Sequence, residues 1–220
     1  MKEEWDNHWN SVNKKTNIFG KILEFYRKFI IAKAVRYYFE KYFPEKGIFV
    51  EMGSGTSQTS SKIIKHNRTL IALDISKPAL EEAQKIPQID KIIQADILDT
   101  KLKENSINGI WNLGVMEHFN EEDIIKILNE FYKVTKKESN ILLFWPPVYG
   151  SSEIFLGICE FFINLFKKEK FHFFPKEITK IRSLKQLKGI ISKSKLKLVR
   201  THFNFRDGFT YVLVVCKKES

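Results

Sequence analysis

Acidic residues are nearly missing from one stretch of this 220-residue chain. Residues 167–206 hold 13 Lys/Arg against 2 Asp/Glu, so the formal net charge of +11 belongs to that span and the rest of the chain balances. Such a region attracts phosphate, anionic lipid or nucleic acid, and it also describes a solvated lysine-rich face that needs no partner. Cysteine is scarce. Cys159 and Cys216 stand far apart and lack metal spacing, which excludes a disulfide framework and points to a reducing compartment. No apolar run reaches the ~18 residues of a spanning helix. The start, Met1-Lys2-Glu3-Glu4-Trp5-Asp6, lacks the pattern of a signal peptide. A cytoplasmic protein is expected, with peripheral membrane contact left open. No His/Cys/Asp/Glu group has metal-ligand spacing. Glu117-His118 followed by Glu121-Glu122 comes nearest, and no metal is expected.

What is present centres on Phe49-Val50-Glu51-Met52-Gly53-Ser54-Gly55-Thr56-Ser57. An apolar run meets a Gly-x-Gly turn, and a Ser/Thr-rich segment follows. The run reads as a buried strand and the segment as the start of a helix. Two glycines let the backbone turn sharply and approach a ligand closely. The helix start would offer free N–H groups to a carboxylate or phosphate. Gln58 occupies the third glycine of the dinucleotide fingerprint, which disfavours a nicotinamide cofactor.

Three further strand tips carry chemistry. Thr69 to Asp74 is an apolar strand ending in an acid, about twenty residues past the glycine turn, where a carboxylate can accept from both ribose hydroxyls. Ile75 follows it. Lys91 to Ile97 is a short strand whose Asp96 can accept from an adenine amino group while Ile97 packs on the ring. Ile110 to Phe119 closes a fourth strand through Leu113, Gly114, Glu117 and His118.

Together these residues resemble the class I S-adenosylmethionine-dependent methyltransferases, in the broad small-molecule group typified by ubiquinone-biosynthesis-like enzymes. The first family motif appears as Glu51-Met52-Gly53-Ser54-Gly55-Thr56-Ser57, with Ser57 where a third glycine often sits. The second-strand acid matches Asp74, the third-strand Asp matches Asp96, and a Leu-Glu-His signature appears as Met116-Glu117-His118. The match covers roughly 45–145 well. It implies S-adenosyl-L-methionine held by Glu51, Gly53, Ser54, Gly55, Thr56, Asp74, Ile75, Asp96, Ile97, Leu113 and Gly114. It also implies an α/β fold: a seven-stranded, mostly parallel Rossmann-like sheet with helices on both faces and a reversed last strand. A helical cap over 1–44 would precede the methyltransferase domain at 45–220, which carries a lid insertion at 147–181.

The chain in order fits this plan. Trp5, His8 and Trp9 fall at helical spacing, and docking of the tryptophans on the domain is favoured over a cap on the cofactor cleft. Residues 18–43 read as an amphipathic helix or broken pair, with Ile18, Ile22, Phe25, Phe29, Ala32, Val35 and Phe39 inward and Lys21, Arg27, Lys28, Arg36 and Lys41 outward. Thr56 to His66 is expected as the first crossover helix, Ser76 as the N-cap of the second, and Asn120 to Val134 as a further helix with early acids at its positive end. Strands alternating with helices imply a parallel sheet with ligand at the strands' C-terminal ends. Lys197–Phe205 and Phe209–Lys217 read as a hairpin across Arg206-Asp207-Gly208.

Residues 154–166 form a helix apolar on almost every side, expected to be buried as a lid making a hydrophobic pocket. Contact of 154–174 with a membrane surface is the second reading, and a dimer contact the third. Trp145-Pro146-Pro147-Val148-Tyr149 lacks the leading Asn/Asp of base-methylating enzymes and follows the wrong strand, so it reads as a strand exit. The implied reaction is in-line methyl transfer to a small, hydrophobic or lipid-like acceptor. The protein positions the partners and excludes water, with His118 as first candidate base and Glu117 as second. His172 and His202 are weaker options. The alternatives are an RNA methyltransferase using the basic 167–206 region, with nucleic acid as the disfavoured partner, and a non-catalytic cofactor-binding protein.

Overall fold

Seven apolar runs become strands: β1 (Lys46–Met52), β2 (Asn67–Asp74), β3 (Lys91–Gln94), β4 (Gly109–Leu113), β5 (Asn140–Trp145), β6 (Lys197–His202) and β7 (Val212–Lys217). The computed structural model describes residues 2–14, 24–165 and 177–219. One sheet runs in the order β3-β2-β1-β4-β5-β7-β6. The first five strands pair in parallel, and β7 runs antiparallel to both β5 and β6. The order reverses between β1 and β4, the point where an open α/β sheet leaves a crevice beyond its strand ends.

Both faces of the sheet are covered, so its strands read as near-continuous apolar runs. Along β1, Val50 and Met52 face one side and Phe49 the other. The first side is closed by α4 (Glu121–Val134) and α6 (Leu184–Ser192), through Ile127, Phe131, Leu187 and Ile190. The helix α4 begins where expected, and Asn120 caps it: its side chain accepts from Asp123 N. The other side is closed by α2 (Ala32–Tyr42), which lays Val35 and Phe39 against Phe49 and Trp111. A short α3 (Lys77–Ala83) sets Leu80 and Ala83 on Ala72. A further helix, α1 (Lys2–Lys14), precedes these, and α5 (Ser151–Asn164) follows β5.

Three expectations are corrected. No crossover helix spans Thr56–His66; a single 3-10 turn, Gln58–Ser60, stands there. Ser57 sits in the left-handed region at φ 50°, and a Ser/Thr-rich segment gives the backbone side-chain partners that compete with a helix. The sheet face that such a helix would cover is taken by α2, from before β1. The final hairpin is shorter than read: β6 ends at His202, and a 3-10 turn at Phe205–Asp207 fills the connection. The Asn204 side chain accepts from Arg206 N, and Asp207 Oδ2 accepts from Tyr211 N at 2.8 Å, so this loop is held by its own polar groups. Finally, α5 is not buried. It has no buried residue, and Phe161 is 62% exposed.

Several earlier readings fall on Ile18, Lys21, Ile22 and residues 167–176, including His172, which lie outside the described residues. Among the described residues, no helix is long and apolar enough to cross a membrane.

With no crossover helix after β1, the join between α2 and β2 depends on Arg68. Its side chain is fully buried. The guanidinium donates to Glu40 Oε1 at 2.7 Å and to the carbonyls of Pro44, Ile64 and Phe43. It also lies over the Phe39 ring, 5.0 Å from the centroid. Removing one partner of a buried charged network strands the others. Arg68→Ala is expected to lower unfolding free energy by about 3 kcal/mol, measured by urea denaturation, with the cavity described next still able to form.

Candidate functional site

The ends of β1, β2 and β4 converge on one cavity at the strand-order reversal. At the tip of β1, Gly53 N and Ser54 N both donate to Leu73 O, at 2.8 and 3.0 Å. This folds the turn back over β2. Gly53 (φ 67°) and Gly55 (φ 50°) sit in the left-handed region, where a Cβ is costly. A Cβ on Gly55 would also stand 2.6 Å from the Trp9 ring. The glycine is therefore needed for the turn and for the close approach of α1.

Asp74, at the tip of β2, ties two turns together. Its Oδ2 accepts from Gly55 N at 2.7 Å and its Oδ1 from Ser76 N at 2.8 Å. Burial pushes its carboxyl up, and these amide hydrogen bonds oppose the shift. Ser76 does not cap α3 through its side chain. Its Oγ donates instead to Asp6 Oδ1 at 2.7 Å, which anchors α1 beside the site. Trp5, His8 and Trp9 then line the cavity, so the tryptophans dock where a cleft cap would lie. Gln94 Nε2 holds Ile75 O at 3.0 Å. Asp96 Oδ1 accepts from Leu98 N at 2.9 Å, and Ile97 beside it is buried.

Glu51 lies beneath the glycine turn and is 2% exposed. Its Oε2 accepts from Ser60 Oγ at 2.8 Å, and Ser60 in turn accepts from Trp111 Nε1 at 3.3 Å. Burial raises the Glu51 carboxyl from 4.5 to about 7, with those hydrogen bonds opposing it.

The opposite end is built on the 3-10 turn Met116–His118. The Glu117 carbonyl accepts from Ile178 N at 2.5 Å and Thr179 N at 2.9 Å, which fixes the chain returning from the insertion. The Glu117 side chain is buried; Oε1 lies 3.8 Å from His118 Nε2, and Oε2 has no hydrogen-bond partner among the described residues. Burial holds this carboxyl well above the usual range, and the charges of Glu177 and Glu153 add to the shift while Lys180 opposes it. Lys180 pairs with Glu153 and, at 2.7 Å, with Glu177. The His118 ring meets Trp5 edge-on, with centroids 4.9 Å apart. His8 is driven down to about 4 by burial and by the positive charges of Arg27 and His118. A neutral imidazole is therefore held against the tryptophans.

The structure brings the expected cofactor-binding residues and the first two candidate bases into this one cavity: Glu51, Gly53, Ser54, Gly55, Thr56, Asp74, Ile75, Asp96, Ile97, Leu113, Gly114, Glu117 and His118. His202 is not among them. It bonds Tyr42 OH at 2.5 Å, away from the cavity. Arg27, expected on an outer helix face, lines the cavity. Sequence reasoning missed Tyr26, Glu153, Glu177 and Tyr211 as lining residues. Glu153 and Glu177 are the rare acids at the edges of an apolar and then basic stretch, and that contrast was the available signal. Tyr211 gave none.

A family model described as "Methyltransferase domain" matches residues 50–143. No curated protein matches the sequence. Among solved structures, magnesium protoporphyrin IX methyltransferase from Synechocystis, with bound S-adenosylhomocysteine, superposes with TM-score 0.66 at 14% identity, covering 100% of this chain and 97% of that one. An S-adenosylmethionine-dependent methyltransferase from Thermotoga maritima gives 0.64 at 16% identity over 96% and 100%. The mitomycin 7-O-methyltransferase gives 0.66 at 14% identity over 96% and 60%.

The Glu51 shift has a stability consequence. Its folded-state value near 7 exceeds the ordinary 4.5, so the folded protein keeps a proton that the unfolded chain releases between those values. Stability contributed by this group is present below the lower value and is lost as pH rises to the upper one. The loss is at most about 3 kcal/mol. Urea denaturation across that window is expected to show stability falling with pH in wild type, and a flatter profile in Glu51→Gln.

Proposed function

We propose that this chain is a class I S-adenosylmethionine-dependent methyltransferase that methylates an O–H or N–H nucleophile on a small hydrophobic acceptor, with Glu117 receiving the proton; the methyltransferase-domain match over residues 50–143 supports the family reading. The observation that carries this reading is the Glu117 carboxylate: buried, lacking a partner on one oxygen, and facing the cavity. A buried orphan oxygen is costly. A donor from a bound acceptor would satisfy it.

The residues fit the cofactor. Asp74 has one amide donor on each oxygen and retains lone pairs for ribose hydroxyls. Asp96 and Ile97 stand together at the end of β3, as an adenine amino group and ring require. Gly53, Gly55 and Gly114 all have positive φ and keep the cradle free of side chains. When bound, the cofactor supplies an electrophilic methyl carbon on sulfonium. The chain's own work is to bind, orient and dry the site. Trp5, Trp9 and Phe119 exclude water. Glu117 takes the acceptor's proton, and His118 beside it steadies the carboxylate. A carboxyl raised toward the working pH is a stronger base once ionised.

The basic span 167–206 keeps RNA in view as an acceptor. The acceptor side of the cavity, however, carries the two carboxylates of Glu153 and Glu177 against the single Lys180 that pairs with both, a balance unfavourable to a phosphate backbone. A small acceptor is the better fit.

Calorimetric titration with S-adenosylmethionine and S-adenosylhomocysteine tests the cofactor half. Wild type is expected to bind both, and Asp74→Ala to lose affinity by ten- to a hundred-fold, roughly one to three kcal/mol. Well-folded protein that binds neither ligand would sink the proposal. For the acceptor half, Glu117→Gln should bind cofactor within about threefold of wild type. Its methyl transfer should fall by about 10²–10⁴, the range for a lost general base. In wild type the rate should rise with pH through an ionisation above the usual carboxylate range, and that ionisation should vanish in Glu117→Gln.

A further inference from the structure

Three segments surround the mouth of the cavity, and each shows it one face and solvent the other. On α5, Ser152, Glu153 and Leu156 line the cavity. Ile154, Ile158, Phe161, Phe162 and Leu165 recur at three- and four-residue steps on the opposite side and are all more than half exposed. In the segment 25–31, Tyr26, Arg27 and Ile31 line the cavity. Phe25 and Phe29 stack outside it, their ring centroids 4.5 Å apart. In the loop after β6, Thr210 and Tyr211 point inward, while Phe205 is 73% exposed and Phe209 46%.

These segments form one rim because they are bonded to each other. Tyr26 OH donates to Asp207 O at 2.7 Å, and Ser151 N to Phe209 O at 2.9 Å. Phe209 also meets Phe203, and Phe203 meets Tyr149, each at 5.4 Å between centroids. Cations sit among the aromatics. Arg206 lies 3.7 Å over the Tyr37 ring and 5.7 Å from Phe205, and Lys62 lies 5.7 Å from Phe29.

We infer that this rim docks the protein on an anionic lipid bilayer, from which the hydrophobic acceptor enters the cavity. The inference deepens the methyl-transfer reading by naming the phase that presents the acceptor. An exposed apolar stripe beside basic residues is the composition of an interfacial helix. With 14 residues, α5 is about 21 Å long, too short to cross a bilayer core of about 30 Å. It can only lie in the plane of the surface. A second copy of the chain is the poorer occupant: each copy carries a net charge of +11, and the rim itself sets Arg206 and Lys62 among its aromatics. Two such rims face to face would repel, whereas anionic headgroups neutralise them.

The test is co-sedimentation with phosphatidylcholine vesicles, with and without phosphatidylglycerol, run beside S-adenosylhomocysteine calorimetry. Wild type is expected to partition at least about tenfold more strongly to vesicles containing phosphatidylglycerol, and to be partly released by salt. Replacing both Phe161→Glu and Phe162→Glu should cut partitioning about tenfold or more while leaving cofactor affinity unchanged, which also reports intact folding. Arg206→Glu should weaken only the phosphatidylglycerol-dependent part. Absent partitioning by wild type, or equal partitioning by the double variant, overturns the inference. So does a wild-type dimer in solution that the double variant makes monomeric. Partitioning without cofactor binding would keep the surface and reject the enzyme reading; cofactor binding without partitioning would do the reverse.

Discussion

Two hydrogen bonds to one buried carboxylate hold the ligand end of this fold together. Asp74 accepts from Gly55 N and from Ser76 N, so the turn after β1 and the turn after β2 are fixed to the same group. The backbone joins the tips of β1 and β2 through Gly53 N and Ser54 N to Leu73 O, and the Asp74 side chain extends that link to the turn after β2. The bond to Ser76 also places the Ser76 hydroxyl where Asp6 can accept from it, which brings α1 and its tryptophans to the cavity. One acid thus sets the glycine turn, the start of α3 and the roof of the site. In the proposed cofactor site it is also the acid that would meet the ribose hydroxyls, so folding and binding would rest on the same oxygens.

Much of this was legible in the sequence because it depends on residues close together in the chain. An apolar run ending in Gly-x-Gly, or in a single acid, marks a strand tip without knowledge of the partner strand. Such signals located Asp74, Asp96 and the Met116–His118 turn. They failed where a distant element decided the outcome. The Thr56–His66 helix is absent because α2 already covers that face of the sheet and Ser60 is turned inward to Glu51. The apolar pattern of 154–166 reports only that the residues are hydrophobic, not what they meet. Burial was inferred for α5, and the structure leaves its stripe in solvent. Tyr26 and Tyr211 reach the cavity through tertiary packing, and no local pattern marks them.

The site carries an unusual burden of buried acid. Glu51 and Glu117 are both almost fully buried, and both carboxyls are raised by burial. Their surroundings differ in a way that separates their roles. The Glu51 Oε2 is supplied with a hydrogen bond by Ser60, which Trp111 supports, so this acid is held as part of the scaffold beneath the glycine turn. Glu117 has its backbone carbonyl doubly bonded and its Oε2 left unsatisfied. The backbone is pinned while one carboxyl oxygen is left free, the arrangement that suits the proton-accepting role proposed for Glu117.

The polar end and the apolar rim together constrain what can enter. An acceptor must bring a donor to Glu117 at the inner end and pass Leu156 and the aromatic rim at the outer end. A polar metabolite would gain nothing from the rim, and a wholly apolar one would leave Glu117 unsatisfied. The acceptor class that fits both requirements of the proposal is amphipathic, with one nucleophilic group on a hydrophobic body. Such molecules reside at lipid–water interfaces. An exposed hydrophobic stripe is a solubility liability for any protein that works in bulk water. The proposed docking gives it a use, because a surface that drew the enzyme to lipid would also draw it to an acceptor of this class.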